Sequence, residues 1–269
     1  MNPSFDDLFS IKGKVALVTG GSRGIGEMIA AGFMAAGAKV YISSRKADAC
    51  EATARRLEQA YGGQCIPLPA DLSRIEGVGS LAQRLSALEP RLDILVNNAG
   101  AAWGAPIDEF PEIGWDKVMD TNVKGVFFLT QKLLPLLRAA GAGPSPARVI
   151  NIGSIDGLKS AIFDTFSYGA SKAAVHHLTR FLAAHLTRER ILCNAIAPGP
   201  FPTWMLSTGV GFGGATEGVD WDSVGARNPS GRVGTPQDIA GLAIFLSSRA
   251  SEFIVGQVIA CDGGIVGTS

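Results

Sequence analysis

Tyr168 and Lys172 stand four residues apart in the run Ser167-Tyr168-Gly169-Ala170-Ser171-Lys172. On a helix this spacing places both side chains on one face, one turn apart. A phenol has a pKa of about 10 in water and is a poor base at neutral pH. An ammonium group beside it favours the phenolate, so we expect Lys172 to lower that pKa. The pair could then move a proton to and from a substrate oxygen, although a buried tyrosine beside a surface lysine has the same spacing.

Three other stretches place small polar residues or glycines after apolar runs. Ser154 ends the run that begins at Val149, fourteen residues before Tyr168. The run Thr19-Gly20-Gly21-Ser22-Arg23-Gly24-Ile25-Gly26 lies between an apolar segment and an alanine-rich one, and Asn97-Asn98-Ala99-Gly100 follows a third apolar segment. Glycines between a strand and a helix allow a tight turn and let backbone N–H groups approach a pyrophosphate. These stretches predict a dinucleotide site next to the tyrosine–lysine pair.

Apolar runs alternate with segments of helical period along the whole chain, and the strands lack an in–out alternation. This pattern is typical of a parallel sheet covered on both faces, hence of one doubly wound α/β domain over residues 1–269 with a seven-stranded sheet. The sequence predicts strands at 14–19, 39–43, 65–69, 93–97, 149–154, 191–196 and 255–261. It predicts helices at 25–36, 48–61, 75–88, 114–138, 166–187 and 236–246.

The chain resembles the classical short-chain dehydrogenase/reductases over nearly its whole length. The resemblance rests on the motifs above and on Pro198-Gly199-Pro200-Phe201-Pro202-Thr203, in this order along the chain. It implies a Rossmann fold and hydride transfer with Ser154, Tyr168 and Lys172 as catalytic residues. Ser154 would donate to the substrate oxygen and Tyr168 would protonate it. Asn122 would hold a water that extends the proton relay through Lys172.

The end of the second predicted strand indicates which dinucleotide binds. An acidic residue there would bind the ribose 2′-hydroxyl of NAD and repel a 2′-phosphate. Ser44 and Arg45 occupy that place, and Arg23 in the glycine turn could reach the same phosphate, so we predict NADP(H). The resemblance implies a cofactor site that comprises Gly20, Ser22, Arg23, Gly24, Ile25, Gly26, Ser44, Arg45, Asp71, Leu72, Asn98, Ala99, Gly100, Tyr168, Lys172, Pro198, Gly199, Phe201 and Thr203.

The substrate is predicted only as a class. The interval from Ser154 to Tyr168 is one residue longer than the family's commonest interval, a length found in relatives like the rhamnolipid-pathway 3-oxoacyl reductases. That branch implies a 3-oxoacyl thioester, carried by acyl-carrier protein or CoA, or another β-keto or apolar carbonyl compound. We expect a mobile lid over about residues 204–227, rich in glycine and aromatic residues. The opposite wall is predicted to comprise Trp103, Ile155, Leu158, Ile162 and Phe163.

Composition excludes several other classes of protein. Basic and acidic residues balance at 24 each, so charge indicates no nucleic-acid or membrane partner. No apolar run reaches the length of about 18 residues that a membrane span needs, and the N-terminus lacks the pattern of a signal peptide. The four cysteines are widely spaced and predict reduced thiols in a cytoplasmic protein. His176, His177 and His185 lack partners at ligand spacing, so we predict no metal. Family analogy implies a homotetramer or homodimer.

Two alternative functions remain open at this point. The same residues would serve an alcohol or polyol dehydrogenase that works in the oxidative direction. A regulator that binds NADP without catalysis is the other alternative, but such a protein would have no need to keep Ser154, Tyr168 and Lys172 together.

Overall fold

A computed structural model describes residues 5, 7–160, 163–207 and 219–268. Its parallel sheet has seven strands in the order β3-β2-β1-β4-β5-β6-β7. The strands are β1 (Val15–Thr19), β2 (Lys39–Ser43), β3 (Cys65–Pro67), β4 (Ile94–Asn97), β5 (Ala147–Ile152), β6 (Ile191–Pro198) and β7 (Val258–Cys261). All neighbouring strands pair in parallel, which confirms the predicted doubly wound sheet.

Helices connect the strands and cover both faces of the sheet. They are α1 (Gly24–Ala35), α2 (Ala47–Tyr61), α3 (Ile75–Leu88), α4 (Glu112–Met119), α5 (Gly125–Gly141), α6 (Phe166–Leu186), α7 (Trp221–Ala226) and α8 (Pro236–Ser247). Thr235 caps α8 as a capping box with Asp238, and Pro236 occupies the first turn. A proline at that position removes an N–H that has no partner inside the helix, so the helix begins there without penalty.

The central strand β1 shows why the strands read as continuous apolar runs. Successive side chains of a strand point to opposite faces. Ala16 and Val18 pack with Phe33 of α1 on one face, and Leu17 packs with Leu133 of α5 on the other. All five β1 residues are buried, because helices cover both sides of the strand. A sheet exposed on one side would instead show alternating polar residues.

The site of chemistry follows from the strand order. β1 pairs with β2 on one side and with β4 on the other, so the chain direction across the sheet reverses between β1 and β4. Ligands of open α/β sheets bind at such a switch point, beyond the carboxyl ends of the strands. The glycine turn follows β1, Asn98 follows β4, and Ser154 lies just beyond β5. The fold therefore gathers the predicted motifs at one edge.

The long helix predicted at 114–138 is wrong in detail. The structure has α4 and α5 joined by a π-helical turn at Asp120–Lys124, where the N–H of Gly125 donates to the carbonyl of Asp120. The π turn contains Asn122, whose side chain makes hydrogen bonds to Ala101 and Ser171. Pro135 lies inside α5 without ending it. A helical period in sequence does not report one inserted residue, so the turn escaped prediction.

Three strands also end elsewhere than predicted. One is β5, predicted at 149–154, which ends at Ile152. β3 ends at Pro67, since a second proline at position 69 cannot extend the sheet ladder. β6 continues to Pro198, where it pairs with Cys261 of β7. Residues 208–218 of the predicted lid, which include Phe212, and Ile162 of the predicted wall lie outside the described residues.

The cysteines are unpaired thiols, as predicted. Cys50, Cys65 and Cys193 are buried, and Cys261 is half-buried in β7. Burial raises the pKa of Cys65 and that of Cys193 to about 12. Within the described ranges, none of the helices is long and apolar enough to cross a membrane. The same residues contain no cluster of His, Cys, Asp and Glu that could hold a metal ion.

Candidate active site

The fold brings Ser154, Tyr168 and Lys172 together beyond the end of β5. Ser154 is buried and caps a short turn at Ile155–Gly157, where its hydroxyl oxygen accepts from the N–H of Asp156 at 3.2 Å. Ser154 lies close enough to the phenol of Tyr168 to oppose the rise of its pKa. Lys172 Nζ stands 5.4 Å from the centre of the Tyr168 ring and donates to the carbonyl of Ile152 at 2.8 Å. The predicted pair therefore does share one face of α6.

The pKa of Tyr168 is raised, whereas the sequence predicted that Lys172 would lower it. Burial raises the pKa of Tyr168 to about 12, and the nearby carboxylate of Asp156 adds to the rise, whereas the Ser154 hydroxyl opposes it. Lys172 is only 5% exposed, and burial lowers its own pKa to about 8, against a raising influence of Asp156. Burial is the largest influence on both groups, and it disfavours the charged form of each. Tyr168 is consequently a protonated phenol at neutral pH.

Asn122 links the loop after β4 to helix α6. Its Oδ1 accepts from the N–H of Ala101 at 2.8 Å, and its Nδ2 donates to the Ala101 carbonyl and to Ser171 Oγ, each at 2.9 Å. The side chain is 1% exposed. These bonds tie the π turn to the loop after β4 and to α6. The predicted relay through a water stays a prediction, and the bonds to Ala101 and Ser171 add a positioning role that the sequence did not indicate.

The glycine turn has the geometry that a dinucleotide needs. Gly20 and Gly24 adopt φ values of 65° and 58°, in the left-handed region that favours glycine. A methyl group at Gly26 would stand 2.4 Å from both the Gly20 carbonyl oxygen and Asn98 Nδ2. Thr19 Oγ1 accepts from the N–H groups of Asn98 and Ala99 at 2.9 and 3.0 Å, which holds the loop after β4 against the turn. The sequence did not indicate this role of Thr19, although Thr19 is the first residue of the glycine-turn motif.

The residues predicted to select NADP lie at the end of β2. Ser44 is half-buried and its Oγ donates to the Lys46 carbonyl at 3.2 Å, and Arg45 is exposed. Arg23 is exposed as well, but its guanidinium stacks 4.1 Å above the ring of Trp204. The structure thus directs Arg23 toward the predicted lid, and its share in a phosphate clamp stays a prediction. No carboxylate stands at the end of β2, which fits a cofactor with a 2′-phosphate.

The other predicted cofactor residues lie around the same crevice. Asp71 Oδ1 accepts from the backbone and the hydroxyl of Ser73, and Leu72 is buried beneath. Ser22 accepts from Thr53 through its carbonyl, and Ile25 packs on the core. A methyl group built on Gly100 would lie 3.9 Å from Lys172 Nζ, so the loop after β4 borders the catalytic residues.

The segment predicted to cover the nicotinamide leaves the end of β6. Phe201 is 2% exposed and packs on Gly234, where a methyl group would meet its ring at 2.4 Å. Thr203 caps the turn that begins at Trp204, since Thr203 Oγ1 accepts from the N–H of Leu206 at 3.3 Å. Its side chain also approaches Gly24. Pro198, Gly199 and Thr203 thus run from the end of β6 to the glycine turn.

A cavity of about 520 Å³ lies along the loop between Ser154 and α6, and neither Ser154, Tyr168 nor Lys172 is among the described residues that line it. Leu158 and Phe163 of the predicted wall line it, together with Asp156, Lys159, Phe166 and Gly169. Trp103 instead packs against Gly114, where a methyl group would meet its ring at 2.7 Å. Asp156 was not among the predicted site residues. An acidic residue two positions after the catalytic serine was the available signal.

The three histidines of α6 differ in their surroundings. His176 is 2% exposed, and a methyl group built on Gly153 would meet its Nε2 at 2.0 Å. Burial lowers the pKa of His176 to about 4, so the ring is neutral at physiological pH. His177 and His185 flank the ring of Phe181 on the exposed side of the helix.

Known proteins are similar to this chain in both sequence and fold. A family model described as enoyl-(acyl carrier protein) reductase matches residues 20–266. A rhamnolipids biosynthesis 3-oxoacyl-(acyl-carrier-protein) reductase of Pseudomonas aeruginosa is 50% identical over 256 residues, which cover 95% of this chain and 97% of that protein. A gluconate 5-dehydrogenase of Gluconobacter oxydans is 37% identical over 266 residues, with 97% and 98% covered. The Pseudomonas aeruginosa RhlG/NADP active-site complex matches with a TM-score of 0.89 at 48% identity, and covers 97% of this chain and 99% of that one.

Proposed function

The chain belongs to the short-chain dehydrogenase/reductase family, and from that membership we propose that it reduces the ketone of a 3-oxoacyl thioester to a secondary alcohol with NADPH. The observation that carries this proposal is the grouping of Ser154, Tyr168 and Lys172 beyond β5, beside the glycine turn. The protein is an NADP(H)-dependent oxidoreductase of this family. The thioester and the role of each residue are our proposal.

The residues of the crevice fit NADP(H). The positive φ angles of Gly20 and Gly24 and the tight contact at Gly26 leave backbone N–H groups open at the start of α1, where a pyrophosphate binds. Ser44 and Arg45 are suited to a 2′-phosphate. Bound NADPH supplies the hydride that adds to the carbonyl carbon.

Ser154 orients the carbonyl oxygen. Its own oxygen already accepts from the N–H of Asp156, so its hydroxyl proton is free to be donated. Donation to the substrate oxygen stabilises the negative charge that develops there during reduction. Because the hydroxyl is buried and held by its turn, little reorganisation is needed when that charge appears.

Tyr168 supplies the proton that completes the alcohol. A pKa of about 12 keeps the phenol protonated in the resting site, as a general acid requires. Lys172 Nζ lies beside the ring, and its pKa of about 8 leaves it mostly charged at neutral pH. A positive charge there stabilises the phenolate after the proton has left. Asn122 bonds both the loop at Ala101 and Ser171 of α6, and so fixes the loop after β4 relative to the helix that carries Tyr168 and Lys172.

A second function is favoured by one observation, the similarity to gluconate 5-dehydrogenase. That enzyme is 37% identical over nearly the same length, and the same catalytic residues would oxidise a polyol or reduce its keto acid. Leu158, Phe163 and Phe166 give the described cavity an apolar surface that an acyl chain could contact, although Asp156, Lys159, Ser160 and Thr165 also line it.

The two substrates can be compared directly. We expect the purified protein to oxidise NADPH, read at 340 nm, with acetoacetyl-CoA at a kcat/KM at least about tenfold above that with 5-ketogluconate, the difference that one to two kcal/mol of apolar contact provides. Reactions with NADH in place of NADPH serve as the cofactor control. Faster turnover of 5-ketogluconate would contradict the thioester proposal and support the polyol function.

The role of Arg45 is tested by Arg45→Asp. We expect the KM for NADPH to rise about 30-fold or more, because a charge-assisted bond to the 2′-phosphate is worth about 1.5–3 kcal/mol and the new carboxylate repels the phosphate. The KM for NADH should change little or fall. Arg55→Asp makes the same change of charge on the exposed face of α2 and serves as the control. Equal changes of KM for both cofactors would show that Arg45 does not bind the 2′-phosphate of NADPH.

A further inference from the structure

The helix that carries Tyr168 and Lys172 also carries a buried histidine that the reduction described above does not use. His176 follows Lys172 by four residues and Tyr168 by eight, so the three side chains stand in a row along one face of α6. His176 is 2% exposed, and its lowered pKa keeps the ring neutral at physiological pH. The ring therefore acts on its surroundings through its shape and not through a charge.

The loop after β5 wraps around this ring on both sides of Ser154. A methyl group built on Gly153 would have three ring atoms of His176 as its nearest neighbours, with Cδ2 at 2.6 Å. A methyl group built on Gly157 would meet Cε1 of the same ring at 2.8 Å, next to the backbone of α6. The imidazole thus occupies the space in which side chains at positions 153 and 157 would lie. The two glycines that bracket Ser154 both rest on it.

The backbone hydrogen bonds of this turn run within the loop and to the sheet. The N–H of Gly153 donates to the Ile196 carbonyl of β6 at 2.7 Å, and the N–H of Gly157 donates to the Ser154 carbonyl at 3.0 Å. These bonds fix the shape of the turn and its start on the sheet. Packing against His176 and the adjoining helix backbone then sets how closely the turn approaches α6.

We propose that His176 is a positioning residue: its ring seats the turn that carries Ser154, and so sets the approach of the Ser154 hydroxyl to the substrate oxygen. This inference rests on the proposed ketoreductase function. Tyr168 lies about 12 Å before His176 along the helix axis, so one rigid element carries both the proton donor and the seat of the turn. The hydroxyl and the phenol can then converge on the same oxygen.

Removal of the ring should slow the chemical step and spare cofactor binding. We expect kcat of His176→Ala for acetoacetyl-CoA with NADPH to fall about 10- to 100-fold, because a misplacement of about 1 Å at the reacting atoms can cost that much. The Kd for NADPH should stay within about threefold, since no charge-assisted bond to a phosphate is lost. His177→Ala changes the exposed neighbouring histidine and should keep kcat within about twofold. An unchanged kcat in His176→Ala would overturn the proposal.

A double-mutant cycle with Ser154→Ala separates positioning from a general loss of structure. If the ring acts through the Ser154 hydroxyl, its removal matters little once that hydroxyl is gone. The factor lost on His176→Ala should therefore shrink to less than about threefold in the Ser154→Ala protein, because residues that act through one another are not additive. A ring that merely supports the fold would cost the same factor in both backgrounds, and that result would contradict the proposed role. Melting curves establish that each variant is folded at the assay temperature.

Gly153→Ala tests the contact from its other side. The φ angle of Gly153 lies outside the left-handed region, so alanine suits its backbone, and the atoms nearest to the added methyl group belong to the His176 ring. We expect kcat to fall at least about tenfold as the methyl group displaces the turn. The double variant Gly153→Ala/His176→Ala has room for the methyl group and should be at least about fivefold faster than Gly153→Ala. A double variant slower than either single one would refute the seating of the turn on the ring.

The choice of ketone distinguishes failure of this inference from failure of the proposed function. The same cycle is run with 5-ketogluconate, since the comparison of backgrounds does not depend on which ketone is reduced. A cycle that is non-additive with 5-ketogluconate, without turnover of acetoacetyl-CoA, would contradict the thioester reductase and support the role of His176. Additive losses together with rapid reduction of acetoacetyl-CoA by the wild type would contradict the role of His176 and leave the reductase in place.

Discussion

Tyr168→Phe is expected to lower kcat for ketone reduction by about 10²- to 10⁴-fold, the contribution typical of a positioned general acid. The phenylalanine keeps the ring beside Lys172 but removes the phenol that would give its proton to the carbonyl oxygen of the ketone. Ser154 can still donate a hydrogen bond to the carbonyl oxygen, so some turnover should survive. The measurement is the oxidation of NADPH at 340 nm under saturating ketone.

The same variant should bind its cofactor almost normally. Tyr168 stands at the chemical end of the crevice, and the glycine turn at Gly20 and Gly24 does not depend on the phenol. Titration followed by NADPH fluorescence should therefore give a Kd within about threefold of that of the wild type, since no charge-assisted bond to a phosphate is lost. Tyr61→Phe, at a half-exposed tyrosine of α2, controls for the loss of a hydroxyl. Undiminished turnover by Tyr168→Phe would refute the assigned proton donor.

Gly26→Ala is expected to abolish cofactor binding at ordinary concentrations. The added methyl group would stand 2.4 Å from the Gly20 carbonyl and from Asn98 Nδ2, far inside van der Waals contact. α1 must then move away from the turn after β1, which displaces the N–H groups that receive the pyrophosphate. We expect the Kd for NADPH to rise at least about 100-fold, a loss of roughly 2.7 kcal/mol.

Stability and binding must be measured together for this variant. Overpacking of this kind costs about 1–3 kcal/mol in the free energy of unfolding, so the variant should remain folded at 25 °C. Gly79→Ala is the matched control, because it lies inside α3 with no atom within 4 Å of the added methyl group. It should retain binding and gain up to about 1 kcal/mol of stability. Normal cofactor affinity in Gly26→Ala would mean that the turn does not carry the pyrophosphate.

The two substitutions differ in what the sequence could predict about them. The spacing of Tyr168 and Lys172 predicted that they share one face of a helix, and the resemblance carried by the accompanying motifs implied their catalytic roles. The motif also placed Gly26 in a turn between a strand and a helix. The close contact with Asn98, seventy-two residues later, comes from the pairing of β1 with β4. No local pattern reports such a contact.

The electrostatics of the site show the clearest difference between sequence and structure. The neighbouring ammonium predicted a lowered pKa for Tyr168, but the structure raises it to about 12. The prediction considered one pair of charges, whereas a pKa responds to the whole surroundings of a group. Burial of the phenol by other elements is the largest cause of the rise, and Lys172 is itself turned to the Ile152 carbonyl. The same reason explains why Asp156 was not recognised beforehand.

The order of residues along the chain was enough to predict the alternation of strands and helices and the candidate catalytic side chains, and it shows that no acid follows β2. These features depend on the period of apolar residues and on short motifs, both of which are written within a few residues. The tertiary structure alone decided the bonds of Asn122 to Ala101 and Ser171 and the stacking of Arg23 on Trp204. Each of these depends on distances between segments far apart in sequence, and such distances are fixed only when the strands pair and the helices pack on the sheet.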